Sequence, residues 1–210
     1  EEGRPLRQAP CYDRLKKHGA VFGQKFGWER ANWFAPAGVD QKDDWSFRRS
    51  KWFEHVGNEC KNVQENVGLL DMTAFAKCRI SGPGAENFLD NLIANKLPKK
   101  IGRVNLCHAL NTKGGVLSEY TIAKEKDDSF YIVSAGAFQR LDHDWIHKWM
   151  PKDRSVTFEN LTNSMGVLVI AGPKARDLMK KVSTADFSNE NFPWLSAQKI
   201  DVGFAPTIAM

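Results

Sequence analysis

The chain has 210 residues, of which 42% are hydrophobic and 26% charged, with a formal net charge of +5 at pH 7. That balance excludes disordered and fibrous classes, and no apolar run approaches the ~18 residues of a helical membrane span, so no membrane partner is expected. Cys11, Cys60, Cys78 and Cys107 are scattered without a C-x-x-C pair, which argues against a zinc cluster or a disulfide framework and points to reduced thiols.

Residues 1–48 are aromatic-rich and broken by Gly and Pro, with Phe22, Phe26, Trp28, Trp33, Phe34, Trp45 and Phe47. This segment is expected to be an extended arm or linker that packs on a neighbouring domain, because it lacks the periodicity to build a core of its own. Interleaved aromatic and basic residues could also stack single-stranded nucleic acid. The opening Glu1-Glu2-Gly3-Arg4-Pro5 is neither a signal nor a transit peptide. With no starting Met, the chain is expected to be an interior piece of something longer.

From residue 49 a regular α+β pattern is expected. Trp52, Val56, Cys60, Val63 and Val67 recur at helical spacing, predicting a helix over 50–66. A strand near 77–80 leads through Gly82-Pro83 into an amphipathic helix carrying Ala85, Phe88, Leu89 and Leu92. Strands at 104–110 and 116–124 are joined by a tight Lys113-Gly114-Gly115 turn, since glycines supply the positive φ angles such a loop demands. A turn at Asp127-Asp128 leads to a strand at 130–133. A helix over 137–149 carries Leu141, Trp145 and Trp149, with strands following at 155–159 and 166–171. Ile80-Ser-Gly-Pro-Gly-Ala-Glu-Asn-Phe-Leu89 is echoed by Ile170-Ala-Gly-Pro-Lys-Ala-Arg-Asp-Leu-Met179. Each reads as strand, Gly turn, Pro fixing the first helical φ, then helix, which predicts two related strand-turn-helix halves.

Within the second hairpin strand, Leu117, Glu119, Thr121 and Ala123 share one face, and Val116, Ser118, Tyr120 and Ile122 the other. Glu119 is therefore either an exposed polar residue or a ligand-facing carboxylate. His143 and His147, spaced i, i+4, could place two metal ligands on one helix face, but without H-E-x-x-H no metal is expected. His108 reads as a hydrogen-bonded core histidine. The basic residues favour an anionic partner only weakly, with Lys96, Lys99, Lys100 and Arg103 the densest group. No nucleophile–base arrangement is visible.

Five ordered blocks carry a resemblance. They are Gly27-Trp-Glu-Arg-Ala-Asn-Trp-Phe34, Ser46-Phe-Arg-Arg-Ser-Lys-Trp-Phe-Glu54, Val67-Gly-Leu-Leu-Asp-Met-Thr-Ala-Phe-Ala-Lys77, Leu110 to Ala123, and Val169-Ile-Ala-Gly-Pro-Lys-Ala-Arg176. Together they resemble the folate-binding part of the dimethylglycine/sarcosine dehydrogenase family and, more broadly, the folate-binding domain of glycine-cleavage aminomethyltransferases. The resemblance implies antiparallel sheets with flanking helices. It also implies that 49–210 is a folate-binding domain, incomplete at its C-terminus, where the family's Arg-x-x-Tyr-x-Gly-Glu-x-Gly motif would follow.

The implied role is transfer of a one-carbon unit from an iminium to tetrahydrofolate, giving 5,10-methylenetetrahydrofolate. Glu119, Tyr120 and Thr121 would contact folate, and a partly buried Glu119 would also serve as base. Aminomethyltransferases usually carry two acids where this chain has Ser118-Glu119, so the dehydrogenase branch fits better. FAD would belong to a preceding domain of the same polypeptide, since no G-x-G-x-x-G occurs here. The compartment would be the bacterial cytoplasm or the mitochondrial matrix. The rival expectations are a stand-alone aminomethyltransferase-like protein, a nucleic-acid-binding module, and a purely structural fragment.

Overall fold

A computed structural model describes residues 3–210, so the first two positions of the expected arm lie outside the described residues. The chain divides into two compact units. One runs to Ala74 and takes in Gly166–Leu178; the other comprises Phe75–Met165 and Met179–Met210.

In the first unit, helix α1 (Tyr12–Lys17) precedes strands β1 (Ala20–Lys25) and β2 (Trp28–Phe34), which pair antiparallel. Phe26 and Gly27, both at positive φ (53° and 83°), make the turn between them, the conformation that matches the right-handed twist of paired strands. Val21, Trp33 and Ala35 form a small core, with Val39 and Val56 against it. The region expected as an irregular arm is thus a hairpin with a core of its own. A register shift between Val21 and Phe22 interrupts the period-2 alternation that would have revealed it.

The Nε1 of Trp33 donates to Asp43 at 2.9 Å, and the Arg7 guanidinium lies 4.2 Å over Trp28. These two indoles are therefore occupied by packing rather than offered for base stacking, whereas Trp45 and Phe47 are exposed. Helix α2 (Phe53–Glu65) lies within the predicted 50–66. Strand β3 (Gly68–Asp71) then pairs antiparallel with β9 (Leu168–Ala171).

The second unit is built on a five-stranded sheet whose pairings are all antiparallel. It comprises β4 (Ala76–Ser81), β5 (Val104–Leu110), β6 (Val116–Lys126), β7 (Ser129–Ser134) and β8 (Thr157–Asn160), in spatial order β5-β6-β7-β4-β8. One face carries helices α3 (Ala85–Leu92) and α4 (Gln139–Trp149) over a core of Ile80, Cys107, Tyr120, Ile122, Phe130 and Ile132. Ala85, Phe88, Leu89 and Leu92 are all buried, the i, i+3, i+4, i+7 stripe expected of an amphipathic helix. The other face holds a smaller cluster of Val104, Ala123, Tyr131 and Leu161.

Helix α4 lies within the expected 137–149, and a polar residue lies on its buried side. Asp142 and Ile146 are its buried residues, Trp145 packs at the margin of the core, and Leu141 and Trp149 are exposed at 42% and 49%. A second unforeseen hairpin, β10 (Gln198–Val202) with β11 (Ala205–Ala209), follows helix α5 (Ala175–Val182).

The sequence echo is structural, with one copy in each unit. Gly82 and Gly172 have φ of +114° and +123°. A Cβ on Gly82 would meet the Ser155 carbonyl oxygen at 2.5 Å, and one on Gly172 the Asn66 carbonyl oxygen at 2.5 Å. The same two carbonyls accept from Gly84 N–H at 3.0 Å and Lys174 N–H at 2.9 Å. In both copies, glycine is needed so that the chain can press against a carbonyl while starting a helix.

Gly82→Ala and Gly172→Ala should each cost at least about 2 kcal/mol, from left-handed strain plus backbone overlap. Gly57→Ala in α2, where an added Cβ meets nothing within 4 Å, should instead stabilise by up to ~1 kcal/mol. Urea unfolding of the three variants checks both signs.

Candidate functional site

The β5–β6 hairpin sets the site. Its loop is wider than the three-residue turn expected. Asn111 Oδ1 accepts from Lys113 N–H at 2.9 Å and Gly115 N–H at 3.0 Å, with Gly114 at φ +81°. This side-chain-to-backbone turn, followed by a register shift between Ala109 and Leu110, fixes His108 directly opposite Glu119. Directly paired residues on antiparallel strands project to the same face, close enough for their side chains to interact.

The Glu119 side chain is 65% exposed, so the partial burial expected for it is not seen. His108 Nε2 lies 3.2 Å from Glu119 Oε2. Its side chain is 36% exposed, which corrects the expectation of a core histidine. On the far side of the ring, Asn95 Oδ1 accepts the His108 main-chain N–H at 2.9 Å and lies 3.2 Å from Nδ1. Asn95 is brought there by the strand-like segment after α3, where Ile93 bridges Ala109 and Ala94 N–H donates to the His108 carbonyl at 2.9 Å. Neither Asn95 nor this use of His108 was foreseen. The available signal was the register count back from the Asn111–Gly115 loop.

The three residues expected to contact folate are divided by the pleat. Thr121 is half-buried on the face of Glu119, whereas Tyr120 points the other way and is 1% exposed. The Tyr120 hydroxyl donates to Asp142 Oδ1 at 3.3 Å, and the Ser134 hydroxyl donates to Asp142 Oδ2 at 2.6 Å. Burial, followed by the Asp142 charge, holds the Tyr120 hydroxyl well above the usual phenol range. The same two causes push Cys78 up to about 12, so neither group is a nucleophile at neutral pH. The gap beside Asp142 leaves about 10 Å³ for a water centre, room for one water and no ligand. Tyr120 is thus a core anchor, and its side chain cannot meet a molecule resting on Glu119.

His143 and His147 do share a helix face, but both rings pack edge-on against Phe158, at 4.9 and 4.7 Å between centroids. Burial lowers the His143 pKa. No group of three or more metal-ligand side chains occurs among the described residues. Within the basic group, Lys99 pairs with Glu86 at 2.9 Å, and Glu86 also holds the buried Lys124 at 2.9 Å.

The GCVT N-terminal domain family matches residues 11–210. Human mitochondrial dimethylglycine dehydrogenase is 35% identical over 210 residues, a match covering 99% of this chain and 24% of that protein. The mouse mitochondrial pyruvate dehydrogenase phosphatase regulatory subunit is 32% identical, with 98% and 24% covered. The glycine cleavage system aminomethyltransferase T from Bartonella henselae superposes with a TM-score of 0.69 at 20% identity, over 84% of this chain and 44% of that one. At that identity the likeness speaks to fold, and it agrees with the α+β class of antiparallel sheets and flanking helices. The chain spans about a quarter of the length of the two curated relatives it matches.

The buried network yields a stability prediction. Asp142→Ala strands the Tyr120 and Ser134 hydroxyls and should cost about 3 kcal/mol. Tyr120→Phe leaves one of the two bonds and should cost about 1 kcal/mol. Denaturant titration with tyrosine and tryptophan fluorescence would check the order.

Proposed function

We propose a folate-binding, one-carbon-transfer role for this chain, which belongs to the GCVT N-terminal domain family. In the full-length protein, a flavin domain would oxidise an N-methyl amine of the dimethylglycine or sarcosine type to an iminium. The present segment would then pass the one-carbon unit to tetrahydrofolate, giving 5,10-methylenetetrahydrofolate. The 35% identity to a dimethylglycine dehydrogenase over nearly the whole chain supports this branch of the family. Flavin chemistry would reside outside these residues, whose sequence contains no dinucleotide fingerprint. A mitochondrial matrix or bacterial cytoplasmic setting fits this reading.

The observation that carries the proposal is an exposed carboxylate, Glu119, on the open face of a strand whose reverse side is held in the core by Tyr120. A pterin ring presents N–H donors, and a carboxylate with free lone pairs accepts them. When a tetrahydrofolate nitrogen attacks the iminium carbon it must lose its proton, and Glu119 would take it. Thr121, one pleat along on the same face, would add a second polar contact. Tyr120 contributes by holding the strand. The net charge of +5 suits the acidic glutamyl tail of folate.

A second reading, folate binding without transfer, is favoured by one observation. A relative 32% identical over 98% of this chain bears the name of a regulatory subunit.

Calorimetric titration with tetrahydrofolate tests the proposal. Glu119→Gln should weaken binding about tenfold, the loss of roughly one charge-assisted hydrogen bond. Tyr120→Phe should leave affinity within about twofold. Unchanged affinity and unchanged methylene transfer in Glu119→Gln would remove Glu119 from the site. Normal binding with no transfer in the full-length protein would favour the regulatory reading.

A further inference from the structure

We infer that Asn95, His108 and Glu119 form a directed proton relay, in which Asn95 fixes the histidine tautomer so that Nε2 receives the proton Glu119 takes from its substrate. This inference rests on the folate-transfer reading above and extends it to two residues that do not themselves touch the substrate. Asn95 and His108 are positioning residues.

The hydrogen bonds determine the direction. The main-chain N–H of His108 is a donor, so the Asn95 atom 2.9 Å away must be its oxygen rather than its amide nitrogen. That same oxygen lies 3.2 Å from His108 Nδ1. An amide oxygen only accepts, so the ring nitrogen facing it must carry hydrogen, here Nδ1, whereas a carboxyl oxygen can hold a proton itself and leaves the nitrogen facing it free to be bare. In the neutral ring, Nε2 then presents a lone pair, and it does so toward Glu119 Oε2 at 3.2 Å. A lone pair facing a carboxylate is repulsive unless a proton lies between them. The 3.2 Å contact is therefore a seat for one proton, shared by Glu119 and His108.

Rigid supports fix each member. His108 and Glu119 are directly opposite in the β5–β6 ladder. Ala94 N–H bonds the His108 carbonyl at 2.9 Å, and Asn105 Nδ2 bonds the Lys96 carbonyl at 2.9 Å, so the strand-like segment bearing Asn95 is tied to β5 on both sides of that residue.

The relay matches the proton count of the reaction. As the first tetrahydrofolate nitrogen attacks the iminium carbon, its lone pair forms the C–N bond and the C=N π pair returns to the amine nitrogen. The displaced N–H proton goes to Glu119, and from Glu119 to His108 Nε2. As the second folate nitrogen attacks the same carbon, the amine leaves with its C–N bonding pair and takes that proton back through Glu119. The proton of the second nitrogen occupies the vacated seat and passes to solvent. One proton is released overall, and a carboxylate with a single adjoining seat handles each transfer in turn.

The test has a structural arm and a kinetic arm. In the full chain labelled with ¹⁵N-histidine, long-range ¹H–¹⁵N spectra at pH 8 should show His108 as the Nδ1–H tautomer, the reverse of the preference of free histidine in water. Asn95→Asp, which keeps an acceptor, should retain that tautomer, and Asn95→Leu should convert it to Nε2–H. In the full-length protein, Asn95→Leu should lower kcat for methylene transfer at least tenfold while the KM for tetrahydrofolate changes less than twofold. Asn95→Asp should restore most of the rate. His108→Gln donates to Glu119 without receiving a proton, and should behave like Asn95→Leu.

An Nε2–H tautomer in the unaltered chain would overturn the relay whatever the ligand. The expected tautomer with an unchanged kcat in Asn95→Leu and His108→Gln would also overturn it, while leaving Glu119 and folate binding standing. Absence of any tetrahydrofolate binding would remove the functional reading and the relay's role together, even with the Nδ1–H tautomer observed.

Discussion

Asp142 is a carboxylate with 2% of its surface exposed, set against an aliphatic and aromatic core, with Lys77, Ser134 and His143 lining the gap beside it. Such a group persists only where its oxygens are hydrogen-bonded. Tyr120 and Ser134 supply one bond to each oxygen, so α4 is tied at once to β6 and β7. That requirement sets the rotation of α4. Turning the helix to bury Leu141 and Trp149 would carry Asp142 away from both hydroxyls. It also pins β6 through Tyr120, and in a strand the residue next to a buried one must face the other way. The exposure of Glu119 therefore follows from the anchoring of its neighbour.

Much of the second unit was legible in sequence, because its elements obey simple periods. The α3 stripe, the β5–β6 hairpin and β7 all coincide with their hydrophobic patterns to within a few residues. The two other hairpins were hidden for different reasons. In β1–β2 a register shift breaks the alternation. In β10–β11 only Ile200 is buried, so there is scarcely a pattern to read. The burial of α4 was not legible because Asp142 is held by Ser134 and Tyr120, eight and twenty-two residues earlier and both on strands, so no helical period records it. The same holds for Asn95, whose role depends on a strand thirteen residues further along the chain. Glu119 stood out locally as an acid in an apolar strand, but its histidine partner required the register.

The glycine–proline echo, by contrast, was visible in sequence because it solves a local steric problem. A strand ends, a carbonyl from a neighbouring segment closes over the turn, and a helix starts against it. Only glycine avoids the oxygen, and proline supplies the helical φ without requiring an N–H partner. That Gly82 and Gly172 meet different carbonyls at the same 2.5 Å Cβ distance, one in each unit, marks the motif as architecture. Neither copy needs a ligand to explain it.

The candidate site combines a closed side and an open side. Behind β6, the Tyr120 and Ser134 hydroxyls are committed to Asp142, and the remaining gap has room for about one water. In front, Glu119 and His108 face each other in solvent with their geometry already imposed by the strand ladder and by Asn95. An exposed acid on a mobile loop would lose much of its binding energy to ordering. An exposed acid on a strand bolted to the core does not, because folding has already met that cost. On the proposed reading, this is how a surface carboxylate with no enclosing pocket of its own would hold a ligand in a defined place. A ligand's nitrogen approaching from the open side would meet an acceptor, a second proton seat behind it, and an amide that fixes which way the proton moves.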